Sequence, residues 1–190
     1  DHVLSYGERL SAIFLNGILN SQNLESKIAF PETIGLITDG EFGNASADFH
    51  LSTSRVRESL SEEVIFVVPG FYGISQDQKT TLFGRGGSDY AAAALARCVG
   101  ASSLDIWKDV NGFLSSDPKL VSNPVLIEKL SYNEAAELAY FGAKILHPRT
   151  VEPLIDPHIA VRIFNIYGTL DVAKPLTIIS HEKSVLNGVV

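Results

Sequence analysis

One cysteine, no methionine and a deficit of basic residues set the outer limits on this chain. The lone thiol, Cys98, can form no disulfide within the chain and offers no thiolate cluster for a metal. It sits in an apolar run over residues 91–99, which reads as the setting of a buried structural thiol. With 15 Lys+Arg against 22 Asp+Glu the net charge is −7, which argues against an extended nucleic-acid surface, since such surfaces are normally basic. No stretch is apolar enough for long enough to span a bilayer, and the first residues lack the charged start and apolar core of a secretory signal. The expected compartment is therefore the cytoplasm, with no membrane or nucleic-acid partner. A His-x-x-x-His metal pair, internal repeats and low-complexity tracts are also missing. Disorder is disfavoured, because 45% of the residues are hydrophobic and only 19% are charged. The chain opens on Asp1 without a visible initiator, so it is expected to be a piece of something longer.

What is present alternates between helix-like and strand-like segments. The 190 residues suit one domain or one and a fraction. Leu10, Ile13, Phe14, Gly17 and Ile18 recur at helical spacing, predicting an amphipathic helix over 7–20. Residues 34–38 and 64–68 read as strands, 54–60 as a helix, and 71–87 as a polar, glycine-rich stretch. An alanine-rich helix over 88–99 and a strand over 104–108 follow, then a turn at Asp117-Pro118. Ser131-Tyr132-Asn133-Glu134 is a capping box that opens a helix, with Gly142 as its expected stop. Pro148 suits the first turn of another helix, and 161–166 and 177–180 look like strands. Short apolar strands separated by helices predict an α/β sandwich with a mostly parallel sheet, whose ligands bind beyond the carboxyl ends of the strands.

Three loops hold residues suited to chemistry. In Thr80-Thr81-Leu82-Phe83-Gly84-Arg85-Gly86-Gly87-Ser88-Asp89, the glycines free the backbone to turn while the following helix aims its N–H groups at the same place. Arg85 adds a planar fork for a carboxylate or phosphate. The stretch is an anion cradle on one reading, and on the other a plain helix entry with Ser88 or Asp89 as N-cap. It lacks the Lys-Ser/Thr ending of a P-loop and the third glycine of a dinucleotide fingerprint. Trp107-Lys108-Asp109-Val110-Asn111-Gly112 offers a carboxylate that either binds a ribose or base or caps a turn. In Phe141-Gly142-Ala143-Lys144-Ile145-Leu146-His147-Pro148, the lysine either neutralises phosphate or complements a helix end, and His147 is expected to be structural.

In this order the motifs closely resemble the aspartate kinases of the amino-acid kinase family. The matching segments are Ser5-Tyr6-Gly7-Glu8-Arg9-Leu10, Gly70-Phe71-Tyr72-Gly73, Gly84-Arg85-Gly86-Gly87-Ser88-Asp89 and Asp109-Val110-Asn111-Gly112. The longest runs from Glu134-Ala135-Ala136-Glu137 through Phe141-Gly142-Ala143-Lys144 to Leu146-His147-Pro148-Arg149-Thr150. The resemblance implies a three-layer α/β/α sandwich of the carbamate kinase type, here incomplete. It also implies transfer of the γ-phosphoryl group of ATP, with Mg²⁺, to the side-chain carboxylate of L-aspartate, the entry step to lysine, threonine and methionine. By the same resemblance Arg85 pairs with the substrate α-carboxylate, Gly86, Gly87 and Ser88 line the site, Glu8 and Asp89 face the α-ammonium, and Phe71 packs nearby. Lys108, Asp109, Leu114 and Lys119 take the nucleotide, and Lys144 reaches the phosphates as the catalytic residue beside Ile145. No protein ligand to a metal is expected.

Departures from the family pattern accompany the match. The Lys-Phe-Gly-Gly-Thr-Ser-type phosphate loop and the regulatory ACT domains have no counterpart here. Residues 1–180 are accordingly expected to be a partial catalytic domain, and 181–190 the start of a linker. Little or no turnover is expected from this chain alone, and a homodimer from the intact protein. Leu114 stands where some members have tyrosine and Lys119 where many have arginine, so the charge is kept but the bidentate fork is lost. A sibling amino-acid kinase and a non-catalytic amino-acid or nucleotide-binding module of the same fold remain as alternatives.

Overall fold

The computed structural model describes residues 1–116, 120–140, 145–168, 171 and 174–182. The chain divides into two compact units, Asp1–Gly100 and Ala101–Val190.

The first unit opens with α1, His2–Ser21. Its inner side is made of small and polar residues: Ser5 and Ala12 are buried, while Asn20 donates to both the carbonyl and the hydroxyl of Ser26. The apolar residues that define the sequence periodicity point the other way. Leu10, Ile13, Phe14 and Ile18 are all exposed, so the helix is amphipathic but with its greasy side outward. Strand β1, Ser26–Ile28, pairs in parallel with β2, Ile65–Val67.

The expected strand over 34–38 is corrected in its first half. Pro31 starts a helical turn, α2 (Pro31–Ile34), which Gly35 ends in the left-handed conformation at φ 73°. Only then does the chain extend, and Ile74 exchanges backbone hydrogen bonds with Leu36 and Thr38. Asp48 caps α3, Phe49–Ser59, through its side chain.

The glycine-rich stretch after residue 70 is more ordered than its composition suggests. It contains an antiparallel hairpin, β3 (Tyr72–Ile74) with β4 (Thr80–Leu82), followed by α4, Gly87–Val99. Alanines 91 and 94 of α4 pack with Leu36, Val56, Phe83, Tyr90 and Cys98 in one core. Cys98 is buried as expected, and burial pushes its thiol pKa up, away from reactivity.

The second unit is a four-stranded sheet in the order β5-β7-β8-β6. Strand β5 is Ser103–Lys108, β6 is Lys129–Ser131, β7 is Ala160–Asn165 and β8 is Thr177–Ser180. The β5–β7 and β6–β8 pairs are parallel and the central β7–β8 pair is antiparallel. Parallel pairing thus predominates among the described strands of an α/β fold, with the hairpin and the β7–β8 junction as the exceptions.

The capping box is formed as read. Ser131 Oγ accepts from the Glu134 N–H at 3.2 Å, and the Glu134 carboxylate accepts from the Ser131 N–H at 2.7 Å, opening α5, Tyr132–Tyr140. Pro148 starts a 3-10 turn, Pro148–Thr150, and α6 follows at Glu152–Ile155. The expected turn at Asp117-Pro118 and the Gly142 helix stop lie outside the described residues.

Candidate functional site

In the first unit, the loop from β4 to α4 makes two left-handed steps, at Gly84 (φ 76°) and Gly86 (φ 70°). A side chain at Gly84 would also collide with the Gly43 carbonyl, 2.9 Å from an added Cβ. Gly86, not Ser88 or Asp89, is the N-cap of α4, and it has no side chain of its own with which to cap that end. Of the two readings of this stretch, the one with a serine or aspartate cap fails for a conformational reason: the chain passes through positive φ there, which glycine does without penalty. Ser88 and Asp89 instead occupy the first turn. The positive dipole end of α4 points at this turn and favours an anion there. Arg85 is exposed between the two left-handed glycines.

The strap before the hairpin braces this turn. Phe71 holds the left-handed conformation at φ 73°, uncommon for a bulky residue, and its carbonyl accepts from the Phe83 N–H at 2.9 Å. Its ring lies so close to α4 that a Cβ at Gly87 would stand 2.9 Å from it, and one at Gly70 would stand 3.1 Å from Ser88 Cα. Across the same helix end, the Ser88 hydroxyl donates to the Glu8 carboxylate at 3.3 Å. Glu8, Phe71, Gly87 and Ser88, far apart in sequence, are therefore neighbours, with Arg85, Gly86 and Asp89 on the same turn.

A cluster that the motifs did not reveal holds Glu8 in place. Arg9, the next residue, forms an ion pair with Glu32 and lies over the rings of Tyr72 and Phe30, at 4.6 and 5.5 Å from their centroids. It also donates to the buried Ser5 hydroxyl at 3.1 Å, while the Tyr72 hydroxyl donates to Glu32 at 3.3 Å. Burial, reinforced by the Glu32 charge, pushes the Tyr72 phenol well above its ordinary range and keeps it a donor. Nothing local marks this cluster, because Glu32 and Tyr72 come from remote segments.

In the second unit, Lys108 ends β5 and its Nζ donates to the Ile145 carbonyl at 2.7 Å, which joins two of the expected nucleotide residues. Asp109 follows and is exposed. Leu114 is half-buried and forms a β-bridge with Leu126. Gly112, at φ 73°, lies where a Cβ would meet Leu126 Cδ1 at 2.7 Å. His147 Nδ1 accepts from the Arg149 N–H at 3.3 Å and so caps the 3-10 turn, the structural part expected of it. Lys119 and Lys144 lie outside the described residues. Among the described residues no three His, Cys, Asp or Glu side chains gather to hold a metal, and no helix is long and apolar enough to cross a membrane.

Similar proteins are found both by sequence and by structure. The bifunctional aspartokinase/homoserine dehydrogenase of Buchnera aphidicola is 37% identical over 98% of this chain, and lysine-sensitive aspartokinase 3 of Escherichia coli is 37% identical over 85% of it. The chain spans only 23% and 36% of the lengths of those two relatives. The crystal structure of E. coli aspartokinase III in complex with aspartate and ADP superposes with a TM-score of 0.86 at 32% identity, covering 97% of this chain and 41% of that one. A UMP kinase from Bacillus anthracis, at 16% identity and a TM-score of 0.59, shares the fold alone. The sequence model of the amino acid kinase family matches residues 1–165, through both the glycine-rich turn and the Lys108–Ile145 contact, and the chain belongs to that family.

Proposed function

We propose that this chain is part of an aspartate kinase, which transfers the γ-phosphoryl group of ATP to the side-chain carboxylate of L-aspartate to give 4-phospho-L-aspartate and ADP. The reading rests above all on the Ser88–Glu8 hydrogen bond, which holds a carboxylate at the start of α4, on the turn that carries Arg85. An amino acid presents a carboxylate and an ammonium on adjacent atoms, and this turn presents opposite charges at that scale. Arg85 and the helix N–H groups take the α-carboxylate, Glu8 and Asp89 take the α-ammonium, and Phe71 closes the apolar side.

In the reaction one oxygen of the substrate side-chain carboxylate attacks the γ-phosphorus, and the bond from that phosphorus to the bridging oxygen breaks to release ADP. Such transfer depends mainly on positioning and on cations that spread the developing charge. Lys108, Asp109, Leu114, Lys119 and Ile145 belong to the nucleotide end, and Lys144 is the cation assigned to the phosphates. Magnesium is expected to arrive on the nucleotide, since it keeps several waters and needs only one or two protein carboxylates besides phosphate. In this reading the intact enzyme works in the cytoplasm as a homodimer.

The test is calorimetric titration of the chain with L-aspartate, with L-glutamate as control. Aspartate is expected to bind selectively, and Arg85→Ala to weaken it about 10- to 100-fold, the range for losing a charge-assisted bidentate contact. Equal binding of glutamate, or unchanged affinity in Arg85→Ala, would overturn the assignment.

A further inference from the structure

The Glu8 carboxylate is held lightly by its own bonding. It accepts from the Ser88 hydroxyl at 3.3 Å, longer than an ordinary bond between a hydroxyl and an oxygen. Its helix, α1, buries small side chains against the rest of the unit, Ser5 and Ala12, which make fewer contacts than large ones would. Asp1 and Asn20 fasten the two ends of that helix. Between those ends the grip comes from Arg9, which lies over the Tyr72 and Phe30 rings, pairs with Glu32 and donates to Ser5.

Glu32 closes that grip into a triangle. One of its carboxylate oxygens takes Arg9, and the other accepts from the hydroxyl of Tyr72, a fully buried residue. The corners come from α1, α2 and β3, and two of them adjoin the pocket in sequence: Arg9 follows Glu8, and Tyr72 follows Phe71. We propose that Arg9 and Glu32 set the preference of this pocket for a ligand with an α-ammonium group, as positioning residues that act through Glu8 and touch no substrate themselves. The inference rests on the aspartate kinase reading, in which Glu8 faces that ammonium.

A carboxylate that is free to swing returns less binding, because its freedom is lost when the ligand arrives. One fixed beforehand gives its full attraction to a charge that appears at the right place. The triangle does this one residue away, by fixing how α1 is turned about its own axis. Arginine suits the corner on α1 because its guanidinium is flat and many-armed. It lies over a ring with its face while its edge donates to Glu32 and Ser5. A lysine there keeps the charge, but a single ammonium cannot hold all three contacts in that geometry.

Calorimetric titration with L-aspartate and with succinate, the same dicarboxylate without the ammonium group, tests it. The wild-type chain is expected to prefer aspartate about tenfold or more. Glu32→Gln and Arg9→Lys should each lower that preference roughly 3- to 10-fold with unchanged circular dichroism. Adding Glu32→Gln to Glu8→Gln should lower it no further, because the carboxylate through which Glu32 acts is already gone. Equal weakening of both ligands, as a merely structural clamp would give, overturns the proposal. So does a wild-type preference kept in both variants, or a full second loss in the double variant. Should Glu32→Gln fail to fold, Arg9→Lys, which keeps the charge, decides. The aspartate kinase reading fails elsewhere, in a wild type that binds glutamate as well as aspartate or is indifferent to Arg85→Ala.

Discussion

The two units make their loops in different ways. In the first, the turn into α4 passes through two left-handed glycines and is braced by segments remote in sequence: the strap at Phe71, the hydroxyl-to-carboxylate bond to Glu8, and the Arg9 cluster behind it. In the second, Lys108 and Asp109 simply continue a strand whose neighbour β7 runs alongside it for six residues, with Trp107 stacked on Phe164 at 4.5 Å. A site of the first kind is sensitive to changes far from it, whereas one of the second kind inherits the rigidity of its sheet.

The largest effect that separates them is expected in the cores. Phe83 is fully buried in the first unit against Tyr90, at 5.1 Å between rings, and Phe83→Ala should cost about 3–5 kcal/mol. Hydrogen exchange of the α4 amides reads that loss directly. Leu154→Ala, also fully buried, should cost about 2–5 kcal/mol in the second unit, read at the β7 amides.

A smaller substitution probes the bracing itself. Gly87→Ala places a methyl group 2.9 Å from the Phe71 ring and 3.3 Å from its carbonyl, so the strap must shift. A stability loss of about 1–3 kcal/mol is expected, accompanied by weaker aspartate binding. Stability loss with unchanged binding would show that the strap serves only the fold.

The capping box of the second unit should be worth less. Ser131→Ala is expected to cost about 1 kcal/mol in chemical denaturation, with no change in aspartate affinity.

The smallest effect shows only in alkali. Burial raises the phenol pKa of Tyr72 in the first unit and of Tyr132 in the second. Each folded state therefore keeps its proton while the unfolded chain begins to ionise near 10.0. The stabilisation is fully present below that value and is lost as the pH rises above it. Denaturation midpoints should fall between about pH 9.5 and 11, and Tyr72→Phe should flatten the fall in the first unit more than Tyr132→Phe does in the second, because Glu32 adds to the shift at Tyr72.

Much of this is legible in the sequence where the signal is local. The capping box, the alanine-rich α4, the buried thiol and the glycine turn are each specified within a few residues. The hairpin β3–β4 is not, because Gly73 in the middle of β3 breaks the strand pattern. That glycine is demanded by a remote neighbour, since a Cβ there would stand 2.7 Å from Thr38 Cγ2. The register of α1 illustrates a different limit. Periodicity locates the two sides of a helix but does not tell which one the fold covers, and here small and polar residues do the docking. Of the candidate site, Arg85 and its glycines were readable from backbone chemistry, whereas the clamp at Arg9 depends on Glu32 and Tyr72, which only tertiary structure brings to it.

The Asp1 carboxylate accepts from the Gly43 N–H at 2.8 Å and from the Leu82 N–H at 3.0 Å, which ties the beginning of α1 to β4. On a ribosome adding about 5–20 residues per second, the 81 residues between Asp1 and Leu82 take roughly 4–16 s to appear. Throughout that interval α1, already made, has neither its anchor nor Ser88 to hold it. Anchoring across so long a stretch of sequence leaves α1, for those seconds, dependent on whatever shields nascent apolar helices in the cell.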